Sequence, residues 1–111
     1  MRWGLAEGRV GGEHHFSTFI LLANPQTTAA EVTLTYLRES GAPIVKTYAL
    51  LPQSRFTIGV NSDVPELHDE SFGARIEVTN NVPIAVERSM YWGAKGIFWA
   101  GGSHAPGMPL P

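Results

Sequence analysis

With 111 residues, 43% of them hydrophobic and 16% charged, the chain is the size of one domain, long enough to bury a single core and too short for two. Eight Lys/Arg against ten Asp/Glu give a formal net charge of -2, which supplies no sequence-independent pull on phosphate backbones and sets nucleic acid aside as a partner. The sequence has no cysteine, which removes disulfides, thiolate nucleophiles and thiolate metal sites together.

At the start of the chain Arg2, Glu7 and Arg9 interrupt any apolar signal-peptide core, and no segment approaches the ~20 apolar residues of a membrane span, so membrane insertion is not expected. The dominant pattern is apolar alternation with a period of two, in short runs broken by Pro, Gly and Asn, as half-buried antiparallel strands require. A short strand is expected around Trp3 to Ala6. The run 15–25 follows, with Phe16, Thr18, Ile20 and Leu22 on one face, and stops at Asn24-Pro25. Next, 30–41 alternates Val32, Leu34 and Tyr36 against Thr33 and Thr35, and returns as 44–52 after a Gly41-Ala42-Pro43 connection.

The run 54–60 places Phe56, Ile58 and Val60 on one face. Residues 61–72 lack alternation and read as a crossover between sheets, with Pro65 opening a helical turn at Glu66 to Asp69. Strands are then expected at 73–83, with Ala74, Ile76 and Val78 on one face, at 84–93, and around Ile97 to Trp99. Residues 105–111 read as a proline-rich extended linker. Seven or eight strands at this spacing predict one all-β domain over 1–111, an immunoglobulin-like antiparallel β-sandwich. Phe56, Ile58, Val60, Ile76, Val78, Leu34 and Tyr36 are expected to share its core.

Candidates for chemistry are sparse. Glu13-His14-His15, with His68 and His104, has the residue types of a zinc or nickel site. Adjacent histidines on an extended segment point to opposite faces, however, so no metal site is expected. Asp63, Glu66, Asp69 and Glu70 lack the alternating ligands and central glycine of a calcium loop. Ser103-His104 has no nucleophile elbow around it. Gly11-Gly12 and Gly101-Gly102 lack the Lys-Ser/Thr of a phosphate loop and read as tight turns. Glu7, Glu77 and Glu87 could supply paired carboxylates, but a small sandwich offers little room for a glycan in a cleft. A non-catalytic domain without a cofactor is expected.

The aromatics cluster at the chain ends. Trp3, Tyr91, Trp92 and Trp99, with Phe98, are either a sugar-stacking platform or rings that plug the open end of the sandwich, and the second reading is favoured. The discriminating property is whether two coplanar rings face solvent. On the strand 84–92, parity puts Arg88 with Ile84, Val86, Met90 and Trp92, on the more apolar face. A guanidinium there needs a partner, because an unpaired buried charge is costly. Glu7 on the first strand is the expected partner in a structural ion pair, with Glu13 the alternative; otherwise this face is exposed and Arg88 is a surface residue.

Taken together, Trp3-x-x-Ala6-Glu7-Gly8, Phe16-x-x-Phe19-x-Leu21-x-x-Asn24-Pro25, Val32-x-Leu34-x-Tyr36, Ser54-Arg55-x-Thr57, Pro83-Ile84-x-Val86-Glu87-Arg88-x-Met90-Tyr91 and Gly101-Gly102-x-His104 resemble one unit of the tandem-repeat β-sandwich domains of bacterial cell-surface and secreted proteins. The likeness spans nearly the whole chain, and the Glu-Arg-x-Met-Tyr-Trp block is its most specific part. Residues 9–15 depart from the compact glycine turn that often follows Ala-Glu-Gly in that family. The resemblance implies an extracellular or cell-surface location, neighbouring repeat domains of a parent chain as partners, and a structural or adhesive role. Carbohydrate binding through the terminal aromatics, to cell-wall or extracellular glycan, is the alternative.

Overall fold

The computed structural model describes the backbone of residues 1–94 and 97–111, and the side chains of these outside 94–100. Nine strands are present among the described residues: β1 (Arg2–Arg9), β2 (Ser17–Asn24), β3 (Ala30–Arg38), β4 (Ile44–Leu50), β5 (Ser54–Gly59), β6 (Ser71–Val78), β7 (Ala85–Ala94), β8 (Ile97–Pro106) and β9 (Met108–Leu110). They form a five-stranded sheet in the order β4-β3-β6-β1-β9 and a four-stranded sheet in the order β5-β2-β7-β8, with every pairing antiparallel. The all-β sandwich is therefore the fold, with one strand more than the alternation suggests.

The alternating faces become the two sides of the core. Ile20 and Leu22 of β2, Val32, Leu34 and Tyr36 of β3, and Ala74, Ile76 and Val78 of β6 are buried in a single cluster with Trp3, Leu5 and Ile58. Asn24 ends β2 inside this structure. Its Nδ2 donates to the carbonyls of Thr28 and Leu50, and its Oδ1 accepts from the Gln26 amide, so a buried amide side chain satisfies backbone groups that the chain reversal leaves open.

Four expectations are corrected. Phe56 is 45% exposed although it shares the face of buried Ile58. β4 and β5 are the facing edges of the two sheets, and the Phe56 ring lies at that open margin against Tyr48, with centroids 5.6 Å apart.

Val60 is buried, but in a helical turn rather than a strand. The turn α1 (Val60–Asp63) and a 3-10 turn (Pro65–Leu67) stand where a single turn at Glu66 to Asp69 is expected. Val60, Val64 and Leu67 are each 0% exposed, and the crossover adds these three side chains to the core cluster.

The tail is no free linker. β8 continues to Pro106, Gly107 donates to the Val86 carbonyl at 2.8 Å, and Met108–Leu110 pair with Arg2–Gly4 of β1. The chain thus passes from one sheet to the other at Gly107, where an added Cβ would lie 3.0 Å from that of Val86 and 3.3 Å from that of Trp3. Pro106 and Pro109 fit because edge strands tolerate a missing donor.

Gly101-Gly102, expected in a tight turn, lies within β8. Gly11-Gly12 does form the tight turn expected of it, with φ of 69° and 77° and a bridge between Gly11 and Phe16.

Candidate functional site

The site begins with a β-bulge. Along β1, Leu5 pairs with Ala74 and Gly8 with Phe72, so three steps on β1 match two on β6 and one extra residue is inserted. The insertion reverses the parity of the strand. Trp3 and Leu5 face the core before it, and Gly8 and Val10 after it. Gly8 is required there because the Phe72 ring lies over it; a Cβ would come within 2.4 Å of Phe72 Cζ.

On the free side of β1, β9 covers only Arg2, Gly4 and the residue between them. Beyond Gly4 this edge has no β9 partner, and the Glu7 carbonyl takes another donor. Arg88 supplies it. The residue is 8% exposed, Nη1 donates to the Glu7 carbonyl at 3.1 Å and Nη2 to Ser103 Oγ at 3.0 Å.

Arg88 thus lies buried on the core side of β7 and touches Glu7, as parity and charge suggest, but the contact is not the expected ion pair. It is made to the main chain of Glu7, whose side chain is exposed. Glu13 is also exposed, and among the described residues no carboxylate lies within 4.0 Å of the Arg88 guanidinium. Two of five N–H groups have acceptors, both neutral.

Arg88 lines a cavity of about 610 Å³ whose walls include Leu5, Leu37, Ala74, Met108 and Leu110. Glu7 and Arg75 also border it. Leu37, Met108 and Leu110 are 45%, 69% and 37% exposed and form its apolar mouth. The volume falls in the range of small-molecule sites, roughly 300–1,000 Å³, and a mostly apolar lining with a few polar groups is the usual composition of such sites.

The aromatic segment has a different role. Trp92 pairs with Gly101 and Tyr91 with Gly102 across the β7–β8 hairpin, and both rings lie over the glycine opposite: a Cβ on Gly101 would be 2.5 Å from the Trp92 indole, and one on Gly102 2.9 Å from the Tyr91 ring. Phe16 packs on Trp92 with centroids 5.7 Å apart at 42°, and Tyr91 meets Phe19 and His104 edge-on. Trp3 is a core residue, 7% exposed. The Trp99 and Phe98 side chains lie outside the described residues.

On the same hairpin, Ser89 Oγ is 2.7 Å from His104 Nδ1, and Glu87 Oε1 is 3.7 Å from that same nitrogen. A catalytic triad needs the hydroxyl and the carboxylate on opposite ring nitrogens, so this cluster has the residues of a triad without its geometry. Ser103 is not part of it, being the acceptor of Arg88. Among the described residues no three His, Asp or Glu side chains converge as a metal site would require; Glu13, His14 and His15 are exposed in the turn before β2.

No family model matches the sequence, and no curated protein is significantly similar to it. Solved structures do resemble it. The crystal structure of Thermotoga maritima 1070 superposes with a TM-score of 0.82 at 15% identity, over 96% of this chain and 90% of that one. The Anabaena sensory rhodopsin transducer superposes with a TM-score of 0.64 at 22% identity, over 78% of this chain and 92% of that one. The likeness is one of fold. No helix among the described residues is long and apolar enough to cross a membrane.

Reading the sequence finds Arg88 and Glu7 but misses the cavity between them. The signal available was Gly8 two residues before buried Val10, out of register with Trp3 and Leu5, which is how a bulge shows in a strand pattern.

Proposed function

We propose that this chain is a non-catalytic recognition module whose ligand occupies the cavity at the β1 bulge. The observation that carries the reading is a buried arginine, Arg88, with no carboxylate partner among the described residues, on the wall of a mostly apolar cavity of about 610 Å³. Structural cores avoid that combination because an uncompensated charge in an apolar setting is costly, whereas binding sites use it for orientation and specificity. The non-catalytic part is supported by the Ser89–His104–Glu87 geometry, in which one imidazole nitrogen faces both partners.

Carbohydrate stacking is supported less well. Trp3 is sequestered in the core, and Trp92 is engaged by Phe16 and Gly101, so these two rings do not make a coplanar exposed pair. A surface-protein setting, with neighbouring repeats or glycan as partners and an adhesive role, is supported by the sequence resemblance alone.

The test is amide chemical-shift mapping with a small-molecule library. Ligands are expected to shift resonances of Gly4 to Glu7, Arg88, Ala105, Gly107 and Met108 as one cluster. Shifts confined instead to Tyr91, Trp92 and Gly101 with oligosaccharides would favour the glycan reading, and turnover of an ester or glycoside that Ser89→Ala removes would show an enzyme.

A further inference from the structure

We infer that the ligand of this cavity is a small amphipathic monoanion, an aliphatic carboxylate, with its head on Arg88 and its chain against Leu37, Met108 and Leu110; the inference rests on the recognition reading above. The head is chosen by the guanidinium. Two of its N–H groups are held by the Glu7 carbonyl and Ser103 Oγ, which fixes the plane of the fork and leaves further donors for an acceptor entering from the cavity. Charge-assisted bonds from a guanidinium to a carboxylate are stronger than those to a neutral oxygen, and the apolar walls lower the dielectric in which they form.

The charge is chosen by counting. The ionisable residues bordering the cavity are Arg88, Arg75 and Glu7, two cations and one anion, so their sum is one positive charge. A monoanion brings the site to neutrality. A phosphate dianion would leave a net negative charge against an apolar wall and beside the Glu7 carboxylate, at a desolvation cost with nothing to offset it. The body is chosen by the mouth: three large apolar side chains, 45%, 69% and 37% exposed, gain by covering and contribute no hydrogen-bonding groups for a polar body such as a sugar.

Titration calorimetry with octanoate, octan-1-ol and octyl phosphate on the full chain tests this. Octanoate is expected to bind at least about tenfold more tightly than octanol and more tightly than octyl phosphate. Arg88→Met is expected to erase the difference between octanoate and octanol. Met108→Glu, at a side chain that is 69% exposed, is expected to weaken octanoate at least about tenfold with an unchanged melting curve, so the claim is tested even if Arg88→Met fails to fold. Equal binding of octanoate and octanol would overturn the anion assignment while leaving a recognition pocket in place. Tighter binding of octyl phosphate would overturn the choice of carboxylate. Unaltered octanoate binding by Met108→Glu would remove the site from this cavity. No binding of any of the three, or a homodimer that Met108→Glu dissociates, would overturn both the inference and the recognition reading.

Discussion

Arg88 Nη1, on the core side of β7, donates to the main-chain carbonyl of Glu7 on β1 at 3.1 Å, across 81 residues of sequence. The pair joins the two sheets of the sandwich at the point where the β1 bulge leaves that carbonyl without a strand partner. Because the acceptor is backbone, the side chain of Glu7 is dispensable and that of Arg88 is not. Arg88→Ala is expected to cost about 1–3 kcal/mol by leaving a carbonyl unsatisfied, below the roughly 3–5 kcal/mol of a broken buried ion pair. Glu7→Ala is expected to cost under about 0.5 kcal/mol, as an exposed substitution does. A double-mutant cycle in urea checks both; coupling above about 1 kcal/mol would restore the carboxylate as partner.

Gly8 and Phe72 make a second sharp expectation. With Phe72 Cζ 2.4 Å from the position a Cβ would take, Gly8→Ala has to displace the ring from the core. A loss of about 1–3 kcal/mol is expected, as for overpacking elsewhere. Phe72→Leu in the Gly8→Ala background should recover part of it, and denaturation midpoints of the parent and the two variants decide the matter.

The margin between β4 and β5 separates position from pattern. Ile76, fully buried, is expected to lose about 2–5 kcal/mol as Ile76→Ala. Phe56→Ala, on a face that alternation also assigns to the core, should lose below about 1 kcal/mol, the scale of a cross-strand aromatic contact. Comparable losses would place Phe56 inside.

Arg38 and Glu70 form a fork, with Nε donating to Oε1 at 2.9 Å and Nη2 to Oε2 at 2.6 Å. These hydrogen bonds hold the Glu70 carboxyl below its ordinary value near 4.5, against a smaller opposing effect of burial and with help from the Arg38 charge. A carboxyl lowered in the folded state contributes stability that is present above its unfolded value and lost as pH falls through the folded one. Glu70→Gln should therefore be less stable than the parent near neutrality, and the gap should close as pH falls below about 4.5. Urea midpoints across that range give the answer, and a constant gap would refute the assignment.

Tyr36 is 0% exposed, and its hydroxyl has no hydrogen-bond partner among the described residues. The Tyr48 hydroxyl donates to Asp63. Burial, then the Asp63 charge, raises the Tyr36 phenol above its ordinary value near 10; burial, then the bond to Asp63, raises that of Tyr48. A raised phenol favours the folded state below the unfolded value and withdraws that support as pH rises toward the folded one. Stability should fall above about pH 10, less steeply in Tyr36→Phe, which is also expected to be no less stable than the parent at neutral pH because it removes an unsatisfied group. Denaturation midpoints at neutral and alkaline pH are the measurement.

The strands and most of their inward faces were legible in the sequence, because side-chain direction in an extended chain is a local property with a period of two. Parity alone put Arg88 on the core side of β7 with Val86 and Met90, and the absence of cysteine settled the chemistry of thiols before any folding. What needed the tertiary structure was pairing. The bulge between Leu5 and Gly8 exists only relative to β6, and it turns the expected Arg88–Glu7 ion pair into a hydrogen bond to the backbone. Phe56 is exposed because β5 is an edge, and no residue carries in its own sequence neighbourhood the information of which strand lies outermost. The tail became β9 because β1 had a free edge to receive Met108–Leu110. The same short strand, ending before it reaches Leu5, leaves open the cavity beside Arg88, since a void between elements is set by where each one stops against the others.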